Sequence, residues 1–317
     1  NGTHDLLVSF SGADEKNDFY VGLQRFQTDG ISQMLHNDEK DRYRNNSVIA
    51  NYGYKFSNKL QLNNNLRISE TYLQYDAVSS TSGYDNAEEA DAVEGSYNLS
   101  LTHNTSEKFI NKLSFANTYI KRIYGAAPKS KNTKKDKYYG ERNAFYYSGN
   151  YNFDLDNSIV FGFEREDDEM GYNPDLSGTS YEHSYTESKY FDFQKRFSKN
   201  IYTTFGSRFD EHSVAGNEEA HRATFAYLLD NKETKFKASI GTGFRFPSLY
   251  EMYYVYGATK SGSSGVTSSS LPFVKAENSL GFDFGIEKFF TNLNINLEAT
   301  YFNLKYEDAL EGWKIGN

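Results

Sequence analysis

The stretch Asn292-Leu-Asn-Ile-Asn-Leu-Glu-Ala-Thr-Tyr301 alternates polar and apolar residues with a period of two. Successive side chains of a β-strand point to opposite faces, so this period predicts a strand with one apolar and one polar face. The predicted apolar face carries Leu293, Ile295, Leu297, Ala299 and Tyr301, and the predicted polar face carries Asn292, Asn294, Asn296, Glu298 and Thr300. A soluble sheet can contain one or two such strands, but this chain repeats the pattern.

The same alternation recurs along almost the whole sequence. We predict strands at 4–13, 18–28, 46–56, 59–75, 92–104, 109–124, 143–153, 158–167, 184–196, 200–212, 220–229, 234–244, 279–289 and 292–304, with a fifteenth starting near 311. Short polar turns are predicted at 15–18, 56–59, 104–108, 154–157, 197–200, 230–233 and 289–292. Longer connections are predicted at 29–45, 76–91, 125–142, 168–183, 213–219 and 245–278. The fold class is therefore predicted to be all-β and antiparallel.

Short turns at one end of the strands and long loops at the other are typical of a transmembrane β-barrel in the bacterial outer membrane. The short turns would lie in the periplasm and the long loops outside. Leu293, Ile295 and Leu297 would then face lipid. Asn294, Asn296 and Glu298 would face a wet lumen. A soluble β-sandwich or a repeat solenoid is the alternative, but neither gives a reason for this asymmetry.

The composition agrees with a barrel. The chain has 317 residues, a mean hydropathy of -0.75 and 17% aromatic residues. A low mean hydropathy is expected when only alternate residues of each strand meet lipid, and aromatic residues form girdles at the two membrane interfaces. The net charge of -9 and the pI near 5.3 argue against a nucleic-acid partner.

No catalytic constellation is visible in the sequence. There is no cysteine for a zinc cluster or a thiol nucleophile, and the six histidines show no metal-ligand spacing. The sequence therefore predicts that the protein is not an enzyme. Residue 1 lies almost directly in a strand and the last residues lie just inside another, so we expect 1–317 to be a partial barrel domain with two unpaired edges.

The most specific motif is Ala238-Ser-Ile-Gly-Thr-Gly-Phe-Arg-Phe-Pro-Ser-Leu-Tyr-Glu251, followed by Ala276-Glu-Asn-Ser-Leu-Gly-Phe-Asp-Phe-Gly-Ile-Glu287. It resembles the signature of TonB-dependent outer-membrane receptors, in which a strand ending in Phe-Arg-x-Pro leads through a loop to a Glu-x-Gly-like strand. Here Ala276-Glu277 replaces the usual Pro-Glu. The resemblance implies a barrel of 22 strands, of which this chain supplies 14 or 15, and a plug domain that is absent from this chain and contacts TonB.

Within that family, the pattern most resembles the vitamin B12 (cobalamin) receptors of the BtuB type. The resemblance rests on Tyr20–Gly30, on the acidic segment Asn37–Tyr43 and on Tyr75–Ala77. In those receptors, loop carboxylates bind calcium and order the ligand-binding surface. The matching positions are Asp38, Glu39, Asp41 and Asp76, with Asp85 a looser match. An earlier expected carboxylate falls near Ser32, and a solvated acidic loop is the alternative.

Several residues are candidate contacts of a ligand or of the membrane. The loop tyrosines Tyr250, Tyr253 and Tyr254 are candidate ligand contacts. Arg245 is predicted to pin the root of the loop, with ligand contact as the alternative. The lysine-rich stretch 129–137 is a candidate contact for lipopolysaccharide phosphates.

The sequence therefore predicts an outer-membrane receptor for active, TonB-dependent uptake of a scarce nutrient, with cobalamin as the first candidate ligand. The alternatives are a siderophore or haem receptor of the same family and a passive porin-like barrel. A haem receptor would need an exposed axial histidine in a loop, for which His36 and His183 are the candidates.

Overall fold

The computed structural model describes residues 2–31, 40–76, 87–126, 135–173, 180–255 and 275–309. Its strands are β1 (Thr3–Ala13), β2 (Asn17–Thr28), β3 (Tyr43–Ser57), β4 (Leu60–Asp76), β5 (Ala87–Ser106), β6 (Phe109–Ala126), β7 (Lys135–Asn152), β8 (Ser158–Asn173), β9 (Ser180–Ser198), β10 (Ile201–His212), β11 (Gly216–Leu228), β12 (Thr234–Arg245), β13 (Glu277–Phe290) and β14 (Ile295–Glu307). A short helical segment, Glu251–Val255, follows β12. The described residues include no helix with the length and hydropathy needed to cross a membrane.

The strands form one sheet in which each strand hydrogen-bonds to the next along the chain. The registers of β1 to β5 and of β9 to β14 are antiparallel. The predicted all-β antiparallel fold is therefore confirmed. This arrangement pairs the backbone N–H and C=O groups of neighbouring strands with each other, as a membrane environment requires.

The chain divides into two compact units. The first comprises Asn1–His103, Leu113–Phe145 and Glu166–His183, and it contains β1 to β5 together with the long-loop ends of β6 to β8. The second comprises Asn104–Lys112, Tyr146–Arg165 and Ser184–Asn317, and it contains β10 to β14 and most of β9. Each site described below lies within one unit.

The register of the first unit separates an apolar face from a polar face. Leu66 lies opposite Tyr97, whereas Asn65 lies opposite Asn98. Because directly opposite residues share a face, the apolar side chains of β4 and β5 line one side and the amides line the other. The predicted alternations in 59–75 and 92–104 are confirmed.

The second unit shows the same separation. Phe282 and Phe284 of β13 lie opposite Ile240 and Ala238 of β12, while Gly285 lies opposite Lys237. A one-residue slip would place the charged set on the apolar face, so the pattern specifies the register strongly.

The apolar face is exposed rather than packed into a core. Phe10 is 62% exposed and Phe284 is 53% exposed, and the buried apolar side chains of the described residues are few and mostly small. A contiguous exposed apolar surface of this kind marks contact with a partner or a membrane. It agrees with the lipid-facing surface expected from the sequence.

The structure corrects the last hairpin. The predicted turn at 289–292 lies instead at 291–294, and β14 begins at Ile295. Leu293 N–H donates to Phe290 O at 3.1 Å, and Asn294 adopts a left-handed conformation with φ of 52°. Asparagine tolerates that conformation, so the turn continues two residues further than hydropathy indicated. Leu293 and Asn294 therefore belong to the turn, whereas Leu297 and Tyr301 keep their predicted face.

The strands also extend further toward the long loops than predicted. β7 begins at Lys135 rather than 143, and β8 ends at Asn173 rather than 167. Backbone hydrogen bonds continue the ladder where the apolar alternation has already stopped. The predicted long connection at 213–219 is wrong, because a turn occupies 213–215. His212 Nδ1 closes it by accepting from Val214 N–H and Ala215 N–H at 3.1 and 2.9 Å. The predicted fifteenth strand lies outside the described residues.

The two faces of β4 give a matched test. In the complete receptor folded into lipid vesicles, Leu66→Lys should lower the free energy of unfolding by about 2–4 kcal/mol, because it places a charge in the hydrocarbon region. Asn65→Lys, one residue away on the polar face, should cost less than about 1 kcal/mol. Equal costs in folding titrations would contradict the assignment of the faces.

Candidate functional site

A cluster of tyrosines lines the polar face of the first unit, close to the long loops. Tyr138 of β7 stacks on Tyr172 of β8 with ring centroids 4.9 Å apart, and Tyr124 of β6 meets Tyr138 edge-on at 5.8 Å. Tyr75 of β4 hydrogen-bonds Glu88 of β5 and lies near Tyr124. These four residues, Tyr75, Tyr124, Tyr138 and Tyr172, form what we name the tyrosine wall.

The register places the tyrosine wall on the polar face. Tyr75 has the same parity as Asn65 in β4, and Glu94 alternates with the apolar Val93 in β5. Arg122 contacts Glu94, so Arg122 and Tyr124, two residues further on, share that face. Ring contacts extend it to Tyr138 and Tyr172. The wall is therefore a row of amphipathic rings on the side of the sheet that carries the amides.

Two ion-pair groups lie beside the tyrosine wall. Arg122 Nη2 is 2.9 Å from Glu94 Oε1. Arg142 binds Asp168 through two parallel hydrogen bonds of 2.6 and 2.8 Å, and its Nη1 is 3.1 Å from Glu166 Oε2. Such bidentate pairs fix the guanidinium in place. Together with Glu88, the acidic groups near the wall outnumber the basic ones beside it, on the polar face of the described residues.

The segment after β12 forms a second polar cluster, in the second unit. Arg245 Nε is 2.7 Å from Glu277 Oε2, and both Arg245 Nη atoms are 3.0 Å from the carboxylate of Glu251. Ser248 N–H donates to Glu251 Oε2 at 2.7 Å. Burial would raise the pKa of Glu251, but the hydrogen bonds from Arg245 and Ser248 outweigh it and lower the pKa below its usual value. We name these four residues the rim cluster.

The rim cluster ties the end of β12 to the start of β13 and to the helical segment. This is the arrangement expected if Arg245 pins the root of the loop. Its guanidinium is fully engaged by two carboxylates, so a ligand would have to compete with them. The role of Arg245 as a ligand contact stays a prediction.

The predicted ligand tyrosines differ in their exposure. Tyr250 is 38% exposed, whereas Tyr253 is 9% exposed and follows the buried Met252. The side chain of Tyr254 lies outside the described residues. Tyr250 is therefore the more accessible of the two described tyrosines, and Tyr253 helps to pack the segment.

Most predicted calcium ligands lie outside the described residues. Asp38, Glu39 and Asp85 fall there, as does the side chain of Asp76. Asp41 is described and partly buried. Within the described ranges, no three His, Cys, Asp or Glu residues are grouped so as to hold a metal ion. The calcium site stays a prediction, as does lipopolysaccharide binding by 129–137, most of which also falls outside these ranges.

The sequence interpretation did not single out the tyrosine wall. Tyr138 and Tyr172 fell within the predicted loops 125–142 and 168–183, because the polar ends of β7 and β8 lack apolar alternation. A signal was nevertheless available. Tyr124 has the two-residue spacing of the side chains on the polar face of β6 and lies next to a predicted loop. An aromatic girdle faces lipid, so it does not explain a tyrosine on the polar face.

Solved structures share this fold at low sequence identity. The copper transporter OprC matches with a TM-score of 0.74 and 12% identity over 92% of this chain and 51% of that chain. The siderophore receptor PirA from Acinetobacter baumannii matches with a TM-score of 0.70 and 14% identity over 97% of this chain and 50% of that chain. The RagAB peptide transporter matches with a TM-score of 0.67 and 12% identity over 96% of this chain and 44% of that chain.

The chain thus spans about half the length of the solved structures it matches. No curated protein matches it. The family described as TonB dependent receptor-like, beta-barrel matches residues 1–311. Members of that family are transporters of the outer membrane and not enzymes. With its antiparallel sheet, its exposed apolar face and this match over nearly its whole length, the chain belongs to the TonB-dependent receptor-like β-barrel family of outer-membrane proteins.

Proposed function

We propose that this chain forms part of the β-barrel of an outer-membrane receptor, which takes up a scarce organic nutrient by TonB-dependent active transport. The tyrosine wall is the observation that carries the proposal. Four phenol rings on the polar face, next to the long loops, offer apolar surface for stacking and hydroxyl groups for hydrogen bonding. A surface of this kind fits a large organic ligand better than a bare ion.

Ligand size explains the need for energy. A corrinoid or an iron chelate needs a lumen too wide to leave open, so a plug must close it and work must move the plug. We therefore propose TonB, acting through a plug domain, as the partner that supplies this work. A passive porin would need neither a plug nor the Phe244–Pro247 segment, and it is the weaker alternative.

Charge favours cobalamin among the family's possible ligands. Among the described residues, Glu88, Glu94, Glu166 and Asp168 lie on the face of the tyrosine wall, and Arg122 and Arg142 are paired with carboxylates. A polyanionic ferric catecholate would be repelled by this surface, whereas cyanocobalamin carries no net charge. Siderophores of other charge remain the alternative.

Haem is less well supported. The described candidate for an axial ligand is His183, whose Nδ1 lies 3.7 Å from Glu169 Oε2. His183 is two residues from Tyr181 in β9, so both side chains are on the same face, and Tyr181 contacts Tyr139. Tyr139 is one residue from Tyr138, so these side chains lie on the face opposite the tyrosine wall. The other candidate, His36, lies outside the described residues.

Adjacent tyrosines in β7 provide the test. Tyr138→Ala in the complete receptor should weaken cyanocobalamin binding about tenfold or more, because it removes the central ring of the tyrosine wall. Tyr139→Ala removes a ring of the same size on the opposite face, where it contacts Tyr119 and Tyr181, and should leave affinity unchanged. Isothermal titration or equilibrium dialysis would measure both.

The outcomes separate the receptor class from the ligand. Equal affinity of both variants for cyanocobalamin would contradict the role of the tyrosine wall. Tight binding of a siderophore or haem, with no binding of cyanocobalamin by the wild-type protein, would overturn the cobalamin assignment and leave the family assignment intact.

We also propose that calcium orders the loops through Asp38, Glu39, Asp41, Asp76 and Asp85. The support is chemical, since Ca²⁺ prefers clustered carboxylate oxygens on loops. Bringing these like charges together costs free energy unless a cation lies between them.

Chelation tests the calcium proposal. Removing calcium from the complete receptor with EGTA should lower cyanocobalamin affinity about tenfold or more. The double variant Asp38→Asn, Asp41→Asn should bind with the same affinity with and without calcium. Calcium-independent binding by the wild-type receptor would contradict the proposal without affecting the role of the tyrosine wall.

A further inference from the structure

Arg222 lies on the polar face in the middle of β11. It is opposite Gly206 of β10 and Gly241 of β12, and Gly241 is in turn opposite Gly281 of β13. The Arg222 side chain is exposed. Neither cross-strand neighbour has a side chain of its own beside the guanidinium, although Asp192 of β9 lies next to Gly206.

The other polar-face arginines from β6 to β12 are paired with carboxylates. Arg122 pairs with Glu94, and Arg142 with Glu166 and Asp168. In the second unit the pairs are Arg196 with Asp156, Arg208 with Glu164 and Asp210, and Arg245 with Glu251 and Glu277. Arg222 makes no such pair among the described residues. An unpaired guanidinium in this position is available to an anion.

The surroundings affect how strongly an anion binds. Asp192 lies over Gly206, since a Cβ at 206 would be 2.9 Å from Asp192 Oδ2. Below Arg222, the hydroxyls of Thr204 and Thr224 bond each other at 2.7 Å, which leaves one hydroxyl hydrogen free to donate. An anion at Arg222 would also be repelled by the negative charge of Asp192, so removal of that charge should strengthen anion binding.

We propose that Arg222 is a binding site for a single carboxylate on the lumen side of the sheet. The guanidinium presents parallel N–H donors that match the two oxygens of a carboxylate, and the flanking glycines allow the close approach that this geometry requires. The carboxylate comes either from another part of the same receptor or from a small molecule in the lumen. The site does not depend on which nutrient is transported.

Arginine labelling in the complete wild-type receptor tests the site without a destabilising substitution. Phenylglyoxal reacts with free guanidinium groups, and mass spectrometry reads the rate at each arginine. Arg67 of β4 is the internal reference, because it lies on the polar face without an ion pair among the described residues, but between Ile49 and Ser96 rather than glycines.

Each source of the carboxylate gives its own result. If the receptor supplies it, Arg222 should react about tenfold more slowly than Arg67 in the resting protein, and Arg222→Gln should lower the thermal stability more than Arg67→Gln does. If a small molecule supplies it, Arg222 should react freely and acetate should slow it about tenfold, relative to chloride at equal ionic strength.

The role of Asp192 has a separate test. If a small molecule supplies the carboxylate, acetate should protect Arg222 more strongly in Asp192→Asn than in the wild-type protein, because a competing negative charge has been removed. The proposal is overturned if Arg222 reacts as fast as Arg67 in the resting receptor and acetate does not slow it.

Discussion

The two-residue alternation of apolar and polar side chains fixes the register of neighbouring strands, and the positions of all the sites depend on that register. In a sheet with one apolar face, a slip of one residue would move the charged side chains of β12 and β13 into the apolar surface. The backbone hydrogen bonds tolerate such a slip, but the side chains do not. The same constraint that suits the sheet to a membrane therefore also brings tyrosines and ion pairs of different strands together on the other face.

The polar face is organised by pairing of charges and rings. Arg142 holds Glu166 and Asp168, Arg245 holds Glu251 and Glu277, and the tyrosine wall links β6, β7 and β8 through ring contacts. These contacts lie at the long-loop ends of the strands, where the apolar alternation has faded. They provide the ordering interactions that the lipid-facing pattern no longer supplies. A receptor that binds its ligand near its loops needs this part of the wall to be fixed.

The rim cluster and the tyrosine wall have different roles in this interpretation. In the rim cluster, charged groups satisfy each other and hold the segment after β12 in place. In the tyrosine wall, Tyr138 stacks on Tyr172, and all four side chains are partly exposed. Arg222, whose cross-strand neighbours are glycines, differs from Arg245 of the rim cluster, because its charge has no partner among the described residues. The most specific motif of the sequence thus holds the end of β12, the start of β13 and the helical segment together through Arg245.

The sequence by itself determined the fold class, the two faces of most strands and the positions of most short turns, because a period of two and turn-forming residues are local properties. Asp14, for example, accepts hydrogen bonds from two backbone N–H groups of its own turn, at Lys16 and Asn17. Only the tertiary structure decided where the strands end, that the last turn continues to Asn294, and that the rings of Tyr124, Tyr138 and Tyr172 meet with Tyr75 nearby. These features depend on cross-strand contacts between residues far apart in the chain, and no local pattern encodes which neighbour a side chain will find.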